Sequence, residues 1–152
     1  RRLFIFMKES LHYLLMSDHF LFQKSLAASV RDTGLTPGQP KILDYLINHD
    51  GAIQREIAVS CHIEPASLTA ILNGMENKGY IERRTDGGNR RSYHVYLTPL
   101  GRKYADRLSQ EFARIEAKAL EGFSDSDAGL LQELLGRVYE NMTKIQKEGT
   151  HK

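Results

Sequence analysis

The sequence predicts a mainly α-helical fold with one small β-hairpin, and three observations carry this prediction. Apolar residues recur at helical spacing through most of the 152 residues. Threonine–proline pairs at 36–37 and 98–99 mark two helix starts, because proline suits the first helical position. Between residues 80 and 97, alternating apolar and polar residues flank a glycine-containing turn, a pattern typical of two antiparallel strands.

Six helices and two strands are expected in order along the chain. The helices are expected at 3–30, from Thr36 to a stop at His49–Gly51, at 53–60, at 65–77, at 99–120, and from Ser124 to a frayed tail. The strands are expected at 80–85 and 92–97, with residues 86–89 as their turn. A chain of this length fits one domain, or a small domain with an appended oligomerisation element.

Local end signals support the individual helices. Thr36 is expected to cap the second helix, with Pro37 at its first position and Gln39 completing a capping box. Gly79 suits the left-handed residue that ends the fourth helix. Ser124 is expected to cap the last helix.

The beginning of the first helix is apolar on nearly every side, since residues 3–7 read LFIFM. A helix with that pattern must be buried by something, and at a chain end a partner subunit is a good candidate. The last helix carries an apolar face formed by Leu130, Leu131, Leu134, Leu135, Val138, Met142 and Ile145.

The basic charge is concentrated in one segment. The net charge of the whole chain is only +2, but residues 78–103 carry 7 basic and 2 acidic side chains, a local charge of +5. A local basic patch is the footprint expected of nucleic-acid binding, with a solvated basic face as the alternative. The chain has no apolar run of about 18 residues, so no membrane-spanning helix is expected.

Two short helices followed by a hairpin form a winged helix-turn-helix. The fourth helix fits the major groove of DNA, where small polar side chains approach base edges and Asn73 can pair with adenine. Arginines on the hairpin, the wing, fit phosphates at its base and the narrow minor groove at its tip. The candidate DNA-binding residues are Pro65, Ala66, Ser67, Thr69, Ala70, Asn73, Arg83, Arg84, Arg90 and Arg91. The alternatives are plain solvent-facing residues and a winged-helix module for protein–protein contact without DNA binding.

Three quoted segments carry a family resemblance: LTPGQPKILDYLINHDG, then QREIAVSCHIEPASLTAILNGMENKGYIERR, then NRRSYHVYLTPLGR. In this order and spacing the chain resembles the MarR (multiple antibiotic resistance regulator) family of transcription factors. The resemblance implies a homodimeric, ligand-responsive repressor that binds a pseudo-palindromic operator in the cytoplasm of a bacterium or archaeon. It implies a helical dimerisation region at 1–35 and 99–152, and a DNA-binding module at 36–98.

The resemblance also assigns roles to single residues. Arg91 takes the role of the minor-groove arginine, while Asn89 stands where the family has an aspartate that anchors it, which leaves Asp86 as a substitute anchor. Ala70 stands where relatives often carry a basic residue. A small aromatic effector is implied between the dimerisation region and the winged module. Candidate residues for lining its pocket, with plain core packing as the alternative, are Tyr13, Met16, Phe20, Tyr45 and Tyr104.

Other chemistry finds little support in the sequence. No Cys/His/Glu set has the spacing of a structural zinc site, so neither a metal nor another cofactor is expected, although His12 and His19 remain alternatives for a sensory site. Cys61 is the single cysteine, which excludes an internal disulfide, and we expect it to be a buried small hydrophobe rather than a redox sensor. No nucleophile elbow or phosphate loop is present, so no catalytic residues and no enzyme are expected.

Overall fold

The computed structural model describes residues 9–85 and 93–149, and the fold class expected from the sequence is confirmed. Within these residues the helices are α1 Leu11–Ser29, α2 Gln39–Asn48, α3 Gln54–Ser60, α4 Pro65–Asn77, α5 Pro99–Ala119 and α6 Asp125–Gly149. The strands are β1 Ala52–Ile53, β2 Ile81–Thr85 and β3 Tyr93–Leu97. A short 3₁₀ turn at Arg31–Thr33 follows α1.

The chain divides into two compact units. The first unit runs to Ile115 and the second begins at Glu116, so that α6 belongs to the second unit. This division concerns packing within one chain. The functional boundaries expected at 35/36 and 98/99 therefore stay a prediction.

The sheet has three strands rather than the expected two. β3 lies in the centre, with β1 and β2 antiparallel on either side of it. The sequence does not predict β1, because two residues are too few to show alternation. Its pattern places Ile53 in the following helix. In the structure Ile53 is extended (ψ 155°), and its N–H donates to a carboxylate oxygen of Glu56 at 3.1 Å. The helix α3 therefore begins at Gln54, one residue later than expected.

One hydrophobic core holds the first unit together, and α1 to α5, β2 and β3 all contribute buried side chains to it. Fully burying a leucine, isoleucine, valine or methionine side chain stabilises a fold by about 1.5–3 kcal/mol. The helical stripes of α2 and α4 therefore fix the position of both helices. The largest fully buried side chains include Leu26, Ile42, Leu43, Leu46, Ile57, Leu68, Leu72, Met75, Ile81, Val95 and Leu108.

The second helix begins two residues later than expected. Gly38, directly before it, has a φ of 89°, a left-handed conformation that a residue inside a right-handed helix cannot adopt. Thr36 is therefore not the cap, and Pro40 takes the place near the helix start that was expected for Pro37. Half of the expected capping box survives, because the Gln39 side-chain oxygen accepts from the Thr36 N–H at 3.1 Å.

Two helices expose apolar side chains. The segment LFIFM lies outside the described residues, and α1 is described from Leu11, with Ser10 as its N-cap. None of the residues of α6, all of them described, is buried, and its apolar face is exposed as far as the single chain goes. The cap expected at Ser124 is confirmed, since its hydroxyl oxygen accepts from the Asp127 N–H at 3.1 Å. Large exposed apolar side chains include Leu11, Leu14, Met16, Phe20 and Leu21 on α1, and Leu130, Leu131, Leu134, Leu135, Met142 and Ile145 on α6.

The start of α5 lies against the chain that leads into the sheet. A Cβ atom added at Gly101 would lie 1.8 Å from the carbonyl oxygen of Tyr80. The Thr98 hydroxyl donates to the Gly79 carbonyl at 2.5 Å and accepts from the Gly101 N–H at 3.0 Å. This close approach requires glycine at position 101.

Gly101→Ala should lower the free energy of unfolding by about 1–3 kcal/mol, because the new methyl group must displace backbone in a packed region. Gly74→Ala is the matched control, since its Cβ would meet only the Gln39 amide nitrogen at 3.6 Å. Alanine inside a helix is favoured over glycine by about 1 kcal/mol, so this control should be neutral or stabilising. Urea unfolding of both variants measures the difference, and equal stability would contradict the close approach at Gly101.

Candidate nucleic-acid interface

The turn between α3 and α4 is held by hydrogen bonds from both sides. The Ile63 N–H donates to the Ala58 carbonyl at 3.0 Å. The Lys41 ammonium on α2 donates to the Cys61 carbonyl at 2.5 Å. His62 adopts a φ of 51°, the left-handed conformation that reverses the chain between the two helices. The two helices therefore form a helix-turn-helix, fixed against α2.

The fourth helix has a buried and an exposed side, as its sequence predicts. Leu68, Leu72 and Met75 are buried in the core. All six candidate residues of this helix are exposed, namely Pro65, Ala66, Ser67, Thr69, Ala70 and Asn73. The structure thus places them on the surface of the helix that faces away from the core.

One of these candidates is engaged within the protein. The Thr69 hydroxyl donates to the Pro65 carbonyl at 3.1 Å, as serine and threonine often do within helices. Its oxygen also accepts from the Gln54 side-chain amide on α3 at 3.4 Å. Thr69 therefore joins the two helices of the motif.

Arg83 on β2 is bound to α4 rather than directed outward. Its Nε donates to Oε2 of Glu76 at 3.1 Å, and one terminal nitrogen donates to the same oxygen at 2.5 Å. That terminal nitrogen also donates to Oδ1 of Asn73 at 2.7 Å. The side chain is only 17% exposed. In the structure Arg83 thus links the wing to α4, and the phosphate contact expected for it stays a prediction.

The ion pair also changes the acidity of Glu76. Hydrogen bonds from Arg83 are the largest cause that lowers the pKa of this carboxyl group, against the opposing effect of partial burial. Because the pKa of Glu76 is lowered on folding, the stabilisation is present above the usual glutamate pKa and is lost as the pH falls through the lowered value. The link between β2 and α4 is therefore intact at neutral pH.

Arg84 presents a more accessible cation. Its guanidinium pairs with Glu82 and lies 4.6 Å from the centre of the Tyr96 ring, but the side chain remains 59% exposed. A guanidinium over an aromatic face keeps its charge while its position is restricted. This residue remains a candidate for phosphate contact.

The tip of the wing lies outside the described residues. Asp86, Asn89, Arg90 and Arg91 all belong to the segment between Thr85 and Tyr93. The roles expected for these four residues stay predictions from the sequence and the family resemblance.

The five aromatic and methionine candidates for an effector pocket do not come together. Tyr13, Met16 and Phe20 line a shallow surface depression on α1. Tyr45 stacks on His49 with ring centres 4.2 Å apart, and Tyr104 meets Tyr80 edge-on at 5.3 Å. The last two pack against the core. Aromatic residue type therefore did not distinguish pocket from core positions.

A larger cavity lies between α1 and α2, with a volume of about 860 Å³. Phe20 is the one expected pocket residue in its wall. Its wall contains both apolar side chains and several ionisable groups, which suits a ligand with an apolar body and a polar group. Its remaining lining includes His19, Gln23, Lys24, Leu26, Ala27, Val30, Leu35, Lys41, Asp44 and Phe112.

Metal and redox chemistry gain no support from the geometry. No group of three or more His, Cys, Asp or Glu residues in 9–85 and 93–149 is placed to hold a metal ion. Cys61 is 2% exposed, and burial is the main cause that raises the pKa of its thiol. A raised thiol pKa disfavours the reactive thiolate at neutral pH. Over the same ranges, no helix is long and apolar enough to cross a membrane.

Glu76 is the functional residue that sequence analysis missed. It lies in the last turn of α4, and the sequence pattern assigns it no role. The signal was an acidic residue near the end of the helix and a basic residue, Arg83, in the next strand. Opposite charges at that separation do not identify a pair unless the turn between the two elements is known.

Comparisons with known proteins agree with this geometry. The family model for the MarR family matches residues 33–92. A putative transcriptional regulatory protein for the hcr operon of Thauera aromatica is 33% identical over 106 residues, which span 70% of this chain and 64% of that relative.

Solved structures share the fold. The transcriptional repressor CouR bound to a 23-mer DNA duplex is 27% identical, with a TM-score of 0.76 over 86% of this chain and 92% of that chain. A putative MarR-family regulator from Listeria monocytogenes, complexed with 26mer DNA, is 22% identical, with a TM-score of 0.81 over 91% of each chain. The resemblance drawn from the sequence is confirmed: this chain belongs to the MarR family of winged helix-turn-helix transcriptional regulators.

Proposed function

We propose that this chain is a DNA-binding transcription regulator of the cytoplasm, a repressor that acts as a homodimer and responds to a small aromatic ligand. The observation that carries the proposal is the exposed face of α4 beside the wing. A protruding helix with small polar side chains fits the major groove, where base pairs present distinct hydrogen-bonding patterns. No catalytic role is proposed for any residue.

Small side chains on α4 favour close approach to DNA. Ala66 and Ala70 lie one turn apart on the exposed side, and Ser67 adds a hydroxyl group. Phosphate contacts from the wing position such a helix, whereas the helix reads the bases. The local charge of +5 in residues 78–103 supplies the attraction that this arrangement needs.

A protein–protein module without DNA binding is the alternative, and the basic segment disfavours it. The two functions predict different salt dependence, because DNA binding releases counterions. We expect the purified protein to remain on immobilised random-sequence DNA or heparin until the salt concentration is well raised. Elution at low salt from both matrices would favour the alternative.

Arg91→Ala should weaken binding to a DNA site selected from a random pool by about 1–3 kcal/mol, through loss of a wing contact in the minor groove. The slope of log K against log salt concentration should become less negative by about one, the contribution of one phosphate contact. Fluorescence anisotropy titrations at several salt concentrations measure both effects.

The control for this variant is Arg114→Ala, which removes the same charge from α5. Arg114 is paired with Glu111 within that helix, at 2.8 Å. This control should bind DNA like the wild-type protein. Equal affinity of Arg91→Ala and Arg114→Ala would contradict the role proposed for Arg91.

The homodimer is supported by the apolar surfaces that each unit leaves exposed. Leucines 130, 131, 134 and 135 on α6 are between 36% and 52% exposed. Exposed apolar patches of this kind mark interaction sites in soluble proteins. Self-association through helices of the same chain buries them and presents two copies of α4 to two half-sites about one helical turn of DNA apart.

Leu134→Glu should weaken the dimer by about tenfold or more, which corresponds to about 1.4 kcal/mol, since it places a charge in the proposed interface. No core contact is lost, because α6 has no buried residue within the chain. Gln132→Glu adds the same charge on the same helix and should leave the dimer intact. Sedimentation equilibrium measures the monomer–dimer constant, and equal constants for both variants would place the interface elsewhere.

The effector is proposed to bind in the cavity between α1 and α2. Lys41 lines this cavity and also donates to the Cys61 carbonyl in the turn of the helix-turn-helix. A ligand that contacts Lys41 therefore reaches the DNA-reading helices through one side chain. It alters DNA binding only if it binds the two arrangements of the protein with different affinity.

Ala27→Phe should abolish effector binding by filling the cavity, since Ala27 is an exposed residue of its wall. Benzoate and phenol are suitable probes, as a charged and a neutral aromatic ligand. A ligand present at 100 times its Kd stabilises the folded protein by about 2.7 kcal/mol. Differential scanning fluorimetry detects that stabilisation.

Ala28→Phe is the matched control, because Ala28 is exposed one position further along α1 and is absent from the cavity wall. The control should respond to the probe like the wild-type protein. A response that survives in Ala27→Phe, or that is lost equally in Ala28→Phe, would contradict the cavity as the effector site.

A further inference from the structure

The link between Arg83 and α4 has a consequence for base recognition. One terminal nitrogen of Arg83 donates both to Oε2 of Glu76 at 2.5 Å and to Oδ1 of Asn73 at 2.7 Å. The Arg83 backbone N–H donates to the other oxygen of Glu76 at 3.3 Å. Two guanidinium hydrogen bonds, the second from Nε at 3.1 Å, and one backbone hydrogen bond thus join Arg83 to Glu76, and the guanidinium also binds the Asn73 amide.

Chemistry determines which end of the Asn73 amide faces Arg83. A guanidinium group has only donors, so the atom that it contacts must be the amide oxygen. Flipping the amide would place two donors against each other and leave both without the bond. The oxygen and nitrogen diverge from one carbon, so the amino group Nδ2 is turned away from Arg83.

Asn73 stands in the middle of the exposed stripe of α4. Ala66 and Ala70 lie on the same stripe, seven and three positions before it, and Asn77 lies four positions after it. The two alanines bring the helix close to the floor of a groove without reading it. Asn73 and Asn77 are therefore the side chains of this stripe with the reach and polarity to contact a base, and Asn73 is the one whose amide is bound by Arg83.

The occupied oxygen disfavours the adenine pairing expected from the sequence. Asparagine recognises adenine by accepting from N6 with its oxygen and donating to N7 with its nitrogen. Here the oxygen already accepts a charge-assisted bond from Arg83, and the positive charge of that guanidinium repels the partly positive N6 amino group of an adenine that would share the oxygen. Guanine presents two acceptors, N7 and O6, and no donor on its major-groove edge. An outward amino group fits that edge.

We propose that Arg83 is a positioning residue that holds the Asn73 amide with its amino group outward, and that Asn73 thereby reads a guanine in each half-site of the DNA. This inference rests on the proposed function of the chain. It makes Asn73 the specificity-determining residue of α4 and gives Arg83 an indirect role instead of a phosphate contact.

The test begins with selection of binding sites from a random double-stranded DNA pool by the full-length wild-type protein. The same selection is then run with Asn73→Asp. Aspartate keeps an oxygen for Arg83 but has no donor, and its side chain is exposed, so the fold is preserved. We expect a guanine at two symmetric positions for the wild-type protein, and about a tenfold loss of that preference for Asn73→Asp.

A chemical substitution identifies the contacted atom. Guanine at the position that depends on Asn73 is replaced by 7-deazaguanine, which lacks N7. The wild-type protein should lose affinity for the modified site about fivefold or more, whereas Asn73→Ala should bind the modified and unmodified sites equally.

The role of Arg83 needs a readout that general destabilisation does not move. Arg83→Lys cannot bind Glu76 and Asn73 with one planar group. It should relax the preference at the same two positions as Asn73→Asp and leave the other positions unchanged. The control Arg107→Lys alters an arginine with a similar pair of contacts, to Asp32 at 2.7 and 2.8 Å, and should leave every position unchanged.

The outcomes separate this inference from the function on which it rests. Failure of the wild-type protein to enrich any sequence overturns both. An enriched site with adenine at the Asn73-dependent positions, or an unchanged profile for Asn73→Asp, overturns the reading of guanine while DNA binding stands. A profile of Arg83→Lys that matches the wild type overturns the positioning role.

Discussion

The contacts of the buried Tyr80 hold together the parts of the first unit that the candidate interface needs. Its backbone N–H donates to the Met75 carbonyl at 2.9 Å, which closes the end of α4. Its hydroxyl donates to the Thr33 carbonyl at 2.8 Å, and its own carbonyl accepts from the Thr98 N–H at 3.1 Å. The closeness of that carbonyl to Gly101 completes the junction. The end of α4, the start of the wing and the start of α5 thus meet at Tyr80.

This junction explains how a small wing can serve the neighbouring helix. The strand β2 begins at Ile81, immediately after Tyr80. Arg83 on this strand therefore lies beside the last turn of α4, where it binds Glu76. Side-chain hydrogen bonds of a charged pair are stronger than neutral ones and fix orientation as well as distance. Helix and wing are therefore coupled twice, by the backbone at Tyr80 and by side chains at Arg83. A rigid pair of this kind preserves the geometry that groove recognition requires.

The sequence predicts the elements of this interface better than the contacts between them. The bounds of α4, Pro65–Asn77, agree with expectation because proline and a regular apolar stripe are local signals. The strand Ala52–Ile53 and the partner of Arg83 were not foreseen, since both depend on residues distant along the chain. The aromatic residues expected in a pocket were partly core residues, as Tyr45 and Tyr104 illustrate. An aromatic residue type alone does not show whether a side chain packs against the core or lines a pocket, because that depends on which elements lie beside it in the fold.

The structure of the full chain bound to a selected DNA site tests most directly whether α4 and the wing act as one reading unit. We expect α4 in the major groove, with the Asn73 amino group within hydrogen-bond distance of a guanine and Arg83 still bound to Asn73 and Glu76. A complex in which α4 lies outside the groove, or in which Arg83 has left Glu76 to contact a phosphate, would contradict that unit.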